Sequence, residues 1–353
     1  MSTISTISEL LQLSDSQYRI FDLGRKIDKL SKSHFEKIEQ NQLPYPFPSQ
    51  GHAFFAIAFW QKQATTPYLW FIKLPLDERG LLNQGARNHF IAIIIEALGS
   101  DLTVDPTEQQ EKLLSNNPYH FTPSQYKLAS LNSIIKVELK QAPNQHFNTF
   151  FSYLSESDAW DNWHKIGVQG ITDFAARIDK PENAQILRTA FDHLPTPVLL
   201  PLCTALENQI LPEQLISVIC NRILQPKNSD DNEVQTHLIR SLASNTAHPY
   251  VINMFDELIN NKSFNEEDFI TIAGRCWLLL ENDKRMMMFL ENLISSQDPS
   301  QSSSQSNMLF NAIFKDLVAI PSIRTVIFQC MRNPERSPEF AQAIGQLFNQ
   351  AQG

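Results

Sequence analysis

The 353-residue sequence predicts a mostly α fold, with a small α+β domain over residues 1–141 followed by an acidic α-solenoid of HEAT-like helix pairs over 142–353. Three observations carry that expectation. Short aromatic and β-branched runs bounded by Gly or Pro, the pattern of strands, end by Leu74. From Asn144 onward helical patterns follow one another with short breaks and no convincing strand. Within that second half, apolar pairs four residues apart (Leu202 and Leu206, Leu238 and Leu242, Ala273 and Trp277, Phe310 and Phe314) recur at 36, 35 and 37 residues. That is the period of stacked helix pairs, in which no unit buries its apolar stripe alone. The Trp, Gly and Tyr pattern of tetratricopeptide units is missing, so irregular HEAT-like pairs are preferred.

In chain order, residues 5–13 read as a helix and 18–23 as a strand, and 28–39 reads as a helix again. Leu43-Pro44-Tyr45-Pro46-Phe47-Pro48 has Pro at every second position, which forbids helix and central strand alike and marks an extended ordered loop or linker. Runs 53–60 and 68–74 pair as a hairpin across the polar connection 61–67. In the helix 81–98, Leu82, Ala86, Phe90, Ile93 or Ile94, and Ala97 share one face and Gly99 supplies the stop. A further helix over 124–139 closes the domain, whose helices cover a short antiparallel sheet.

The second half reads as helices over 147–154, 158–166, 171–178, 182–194, 197–208, 213–224 and 233–244. It continues with 249–260, 266–280, 283–295, 307–319, 322–331 and 338–349. Pro181, Pro212, Pro249 and Pro321 stand at or just before helix starts, where a missing N–H costs nothing. The stretch 298–306, rich in Ser and Gln, reads as a flexible surface loop between two units.

Composition narrows function. Up to Gln141 there are 14 basic and 14 acidic residues, and after it 15 and 24, so the second half carries the whole net charge of −9. An acidic balance of this kind disfavours a nucleic-acid-binding helical repeat unless Lys and Arg segregate onto one stripe. Ten Gly in the whole chain argue against phosphate loops and large all-β folds. No apolar run approaches the 18 or so residues of a bilayer span, and the N-terminus carries no export pattern, so a cytoplasmic protein is expected. Cys203, Cys220, Cys276 and Cys330 lie far apart in apolar helical contexts and read as free, reduced core thiols.

Catalytic signatures are not found. Gly24-Arg25-Lys26 lacks both Gly-x-Gly-x-x-Gly and Walker spacing and reads as an ordinary strand-to-helix turn with solvated basic side chains. None of the nine His stands three to five from another, so no helical zinc pair exists, and no Gly-x-Ser-x-Gly elbow occurs. No cofactor, metal or catalytic residue is assigned, and the protein is read as a non-enzyme. Arg240 and Arg275 hold equivalent repeat positions and are expected to bridge neighbouring units through carboxylates or carbonyls. Trp160 and Trp163, with His164, are expected to share a helix face and pack the two halves together.

The segment Arg19-Ile20-Phe21-Asp22-Leu23-Gly24-Arg25, with Pro44-Tyr45-Pro46, Phe54-Phe55-Ala56 and the acidic helical remainder, resembles a full-length family of uncharacterised bacterial proteins classed only as a domain of unknown function. The resemblance implies a bacterial, cytoplasmic protein and supplies no activity, cofactor or site. The leading functional expectation is a scaffold that binds a protein partner through second helices of the repeat. Asn253, Asp256, Glu257, Arg285, Met288 and Glu291 are expected to lie exposed on one acidic surface. The alternative is a small-molecule-binding protein or enzyme with its site at the junction of the halves, around Trp160, Trp163 and His164.

Overall fold

A computed structural model describes residues 4–61, 66–99, 102, 107–156, 160–225, 232–296 and 303–351 of the chain. The fold is mostly helical with one small antiparallel sheet, as the sequence predicts. It divides into two units, Met1–Pro123 with Ala319–Pro321, and Ser124–Val318 with Ser322–Gly353.

In the first unit, strands β1 (Gln17–Asp22), β2 (Asp28–Leu30), β3 (His52–Trp60) and β4 (Tyr68–Pro75) form a sheet in the order β2-β1-β3-β4. The expected hairpin is β3 with β4, pairing Phe55 with Ile72 and Ile57 with Trp70. Residues 62–65 of its connection lie outside the described residues. Sequence periodicity missed β2, since Asp28-Lys29-Leu30 has no strand composition. Pairing with β1 makes it a strand, Leu30 opposite Ile20, and the helix begins only afterwards. That helix, α2 (Lys32–Glu39), starts where the Ser31 hydroxyl accepts from the His34 N–H. With α1 (Ile7–Leu13) and α3 (Gln84–Leu98), it surrounds a core that includes Leu10, Phe35, Phe55, Ile57, Phe59, Ile72, Phe90 and Ile94. Gly99 ends α3 at φ +65°, the left-handed stop its sequence position announces. A short helix, α4 (Glu108–Ser115), has no counterpart in the expected elements and packs on α3.

Two polar anchors hold this core. The Glu39 carboxylate accepts from the N–H groups of Ile7 and Ser8 and from the Ser8 hydroxyl, so it closes the start of α1, while Arg87 donates to the Glu39 carbonyl. The alternating-proline segment is an ordered loop whose Tyr45 is fully buried. Its hydroxyl donates to Asp22 and accepts from the Phe54 N–H, and burial followed by the Asp22 charge pushes its pKa well above the usual tyrosine range. Gly24, Arg25 and Lys26 correct the expected solvated strand-to-helix turn. They link two strands, and Arg25 and Lys26 are only 3% and 7% exposed. Arg25 donates to the Pro48 carbonyl at 2.9 Å and Lys26 to Asp28 at 2.6 Å. At Gly24 an added Cβ would lie 2.5 Å from the Phe47 carbonyl oxygen.

The second unit begins at α5 (Gln125–Glu138), so the division falls at Pro123 and not at 141. The reason is packing, since α5 lies on α7 (Val168–Ala175) and α9 (Thr196–Leu206) and buries Leu131 and Ile135. One layer continues through α11 (Asn232–Ser241) and α13 (Glu266–Arg275), each helix on the next. The other layer holds α6 (His146–Ser155), α8 (Pro181–Ala190), α10 (Glu213–Leu224), α12 (Pro249–Asn260) and α14 (Asp283–Ser295), again each on the next. The recurring pairs Leu202/Leu206, Leu238/Leu242 and Ala273/Trp277 are all buried in or next to the first layer. All four Cys are buried, and burial pushes the thiols of Cys203 and Cys220 up to about 12.

In three expected helices part of the span is a 3₁₀ turn. Residues 158–166 hold a 3₁₀ turn over Trp160–Lys165, with 157–159 outside the described residues. Helix α8 gives way to a 3₁₀ turn at Phe191, and α13 ends at Arg275 before another over Trp277–Glu281. Most of the Ser-rich stretch 298–306 lies outside the described residues, and its end, from Ser303, belongs to α15 (Ser303–Ala319). Helices α16 (Pro321–Arg332) and α17 (Pro338–Ala351) follow, α17 packing on α14. Among the described residues, no helix is long and apolar enough to cross a membrane.

Candidate functional site

The six residues expected to form an acidic surface are split by the packing of α14 between α12 and α17. Asn253 and Glu257 are exposed, but Asp256, Arg285, Met288 and Glu291 are half-buried. Arg285 grips Asp256 with two parallel bonds, Nε to Oδ1 at 2.6 Å and Nη2 to Oδ2 at 3.0 Å. The pairing holds the guanidinium above its usual pKa, with the Asp256 hydrogen bond as the main cause. Two turns on, the Asn292 amide donates to the Ile259 carbonyl at 2.6 Å. The polar stripe facing α12 is therefore a latch in which one acidic charge is neutralised. Glu291 turns to another neighbour, its Oε1 accepting from the Ser337 N–H at 2.9 Å where α17 begins. The expectation of one shared, fully exposed acidic surface is corrected accordingly.

Met288 instead belongs to a groove of about 620 Å³ between α14 and the end of α16. Asp283, Lys284 and Met287 line it from α14, and Gln329, Cys330 and Arg332 from α16. Asn333, Pro334 and Glu335 complete its rim. Cys330 is buried beneath it, its thiol donating toward the Asp283 carbonyl at 3.5 Å and pushed up to about 11 by burial, so it is a poor nucleophile. Two adjacent Met side chains give an adaptable, polarisable surface, and the rim charges are balanced, Asp283 and Glu335 against Lys284 and Arg332. An amphipathic peptide segment suits such a groove better than a compact polar substrate. Among the described residues, no group of three or more His, Cys, Asp or Glu is placed to hold a metal ion.

The aromatic cluster behaves differently from expectation. Trp160 packs inside the second unit, stacked on His193 at 5.9 Å and edge-on to Tyr153 at 5.5 Å, and the Tyr153 hydroxyl donates to the Trp160 carbonyl. Trp163 stays 43% exposed and His164 is exposed as well, so the two tryptophans do not form a common buried face.

Arg240 and Arg275 do bridge repeats, and both reach the same carboxylate. Glu207, 2% exposed at the end of α9, receives Arg240 Nε at 2.5 Å and Nη2 at 3.0 Å, with Arg275 Nε 3.3 Å away. Sequence reasoning found both guanidiniums from their equivalent positions but missed Glu207, although it directly follows the apolar pair Leu202 and Leu206. A single acid at the end of a core stripe was the available signal.

No curated protein and no solved structure matches the chain. A family model described as a protein of unknown function (DUF3549) matches residues 2–348, nearly the full length, and covers the turn at Gly24, the Tyr45 loop and the stacked helices alike. The chain belongs to that family.

Proposed function

We propose that this protein is a non-enzymatic interaction protein of the bacterial cytoplasm, whose HEAT-like helical repeat binds a protein partner through the groove between α14 and α16. The observation that carries the reading is the pairing of Met287 and Met288 over a groove of about 620 Å³ with a rim of balanced charge. Stacked helix pairs support it, because stacking with a small rotation from each repeat to the next builds an extended binding surface while each repeat needs only its neighbours for stability. The partner segment presents apolar side chains to the two Met and charges of both signs to Asp283, Lys284, Arg332 and Glu335.

Photo-crosslinking in the native cell tests this. A photoreactive residue at position 288 is expected to capture a discrete partner, and one at the exposed Ile210 is expected not to. Replacing Met287 and Met288 together with Glu should lower recovery of that partner about tenfold or more without changing the melting temperature. Equal capture from both positions, or unchanged recovery with the double variant, would refute the reading.

A further inference from the structure

We propose that the other helix layer of the second unit carries a separate site for a small uncharged heteroaromatic compound with N–H donors on its edge, of the kind a free purine base offers. The site is a groove of about 460 Å³ formed by α5, α9 and α11. Pro197, Leu200, Pro201 and Thr204 line it from α9 at the spacing of one helix face, while Val198, Leu202 and Leu206 of the same helix are buried. The half-exposed ring of Tyr126 and the side chains of Ser124, Thr196, His237 and Arg240 complete the lining.

Two acceptors of different origin call for a ligand that donates. Pro201 stands inside α9 and has no N–H to give, so the Pro197 carbonyl, four residues before it, is left without its helical donor. Both prolines line the groove. The second acceptor comes from α11, where His237 donates through Nδ1 to the Glu233 carbonyl at 3.0 Å, which places the ring proton there and leaves Nε2 of the neutral imidazole to accept. Donors stand beside them. The Ser124 hydroxyl accepts from the Lys127 N–H and keeps its own proton for a ligand, and Tyr126 and Thr196 add further hydroxyls, whereas Thr204 spends its proton on the Leu200 carbonyl. Donors and acceptors mixed around one compact volume match the edge of a nitrogen heterocycle, where N–H groups alternate with ring nitrogens.

Charge argues for an uncharged occupant. Arg240 gives Nε and Nη2 to Glu207 at 2.5 and 3.0 Å, so the one guanidinium in the lining already has its counter-ion and the groove calls for no anion. Among the described residues no carboxylate lines it, so it calls for no cation either. Beyond His237 the adjoining groove carries Glu233, Glu266 and Glu267, which repel a phosphate attached to the ligand. The rings of Pro197, Pro201 and Tyr126, with the Leu200 side chain, supply apolar contact for the faces of a flat ring.

Calorimetric titration of the full chain with adenine, with its N6,N6,9-trimethyl derivative and with adenosine monophosphate tests the site. Adenine is expected to saturate a single site with a Kd below about 1 mM. The trimethyl derivative keeps the ring but has no N–H, and should bind at least about tenfold more weakly; the monophosphate should bind no more tightly than adenine. Pro201→Ala returns an N–H to the Pro197 carbonyl, so it should weaken adenine about fivefold while the melting temperature holds or rises. His237→Phe keeps a ring without the Nε2 acceptor, should weaken adenine to a similar degree, and serves as the second variant if Pro201→Ala fails to fold. The Met287 and Met288 double Glu variant should bind adenine as the wild type does, which separates this site from the partner groove. Absence of saturable adenine binding, equal affinity for the trimethyl derivative, tighter binding of the monophosphate, wild-type affinity in Pro201→Ala or His237→Phe, or loss of binding in the double Glu variant would each overturn the proposal.

Discussion

The sheet unit and the stacked unit bury polar groups in opposite ways. In the sheet unit they converge on two points. Glu39 ties Ile7, Ser8 and Arg87 together, and Tyr45 joins Asp22 to Phe54. In the stacked unit they are spread along the chain as bridges spanning about one repeat. Arg177 donates to the Gln141 carbonyl, Asn245 to Gln209, Gln235 to Asp268, Arg285 to Asp256 and Asn292 to Ile259, at separations of 29 to 36 residues. Convergence makes one side chain answer for several elements, whereas distribution makes each joint answer for itself. Glu207, which holds two arginines, and Asp268, which accepts from Gln235, Thr236 and the Asn265 N–H, are places where the stacked unit departs from its own rule.

The largest test of this contrast is where the stack begins. A fragment starting at Ser124 should fold as a helical unit without the sheet, because its layers contact mainly their neighbours. A fragment starting at residue 142 lacks α5 and uncovers the surfaces that Leu131 and Ile135 bury. At about 1.5–3 kcal/mol per large apolar side chain, it should be less stable by about 5 kcal/mol. Urea unfolding followed by circular dichroism compares the two, and equal midpoints would place the boundary back near 141.

Next in size is Glu207→Ala. Removing the shared carboxylate takes away the buried group that Arg240 and Arg275 both reach, and should cost about 3–5 kcal/mol. A cost near that of an ordinary surface pair would show that the joint is solvated. This region also shows how far the sequence reaches. The apolar pairs at 202, 238 and 273, the Gly99 stop and the helix-starting prolines were legible because burial and backbone geometry repeat at fixed spacing. The convergence of two arginines on Glu207 was half legible, since equivalence of position does not name the partner. Strand β2, the buried Arg25 and Lys26, and the split of the 253–291 set were not legible, because each depends on how elements pack and pair and not on residue spacing. The Met groove was visible only as Met288, since its far wall belongs to α16.

A smaller effect tests the convergent unit. Glu39→Ala leaves the Ile7 and Ser8 N–H groups without their acceptor and should cost about 1–3 kcal/mol. Its pH dependence has a definite sign. Burial raises the Glu39 pKa above its ordinary value, outweighing the hydrogen bonds that lower it. The favourable contribution is therefore complete below the ordinary glutamate range and is lost as pH rises through the folded value. Relative to Glu39→Gln, which does not titrate, the wild type should lose stability as pH rises above about 4.5, measured as the difference in urea midpoints. A difference that moves the other way would mean that hydrogen bonding to the carboxylate outweighs its burial.

The smallest expected effect falls on the latch between α12 and α14, and it decides whether that stripe is a joint or a binding face. Asp256 and Arg285 are partly exposed, so Asp256→Lys should cost only about 0.5–1 kcal/mol, through loss of the pair and repulsion from Arg285. Exchanging the charges, Asp256→Arg with Arg285→Asp, should recover most of that cost if the pair acts chiefly as a joint between repeats, and a double-mutant cycle measures the coupling directly. Glu257, exposed one residue along, supplies the internal comparison, since Glu257→Lys should change stability by less than about 0.5 kcal/mol. A joint loses stability on reversal and regains it on exchange, whereas a binding face keeps its stability throughout and loses only the partner. If Asp256→Lys leaves the melt untouched but abolishes crosslinking at position 288, the stripe facing α12 belongs to the partner surface after all, and the groove between α14 and α16 is one part of a wider interface.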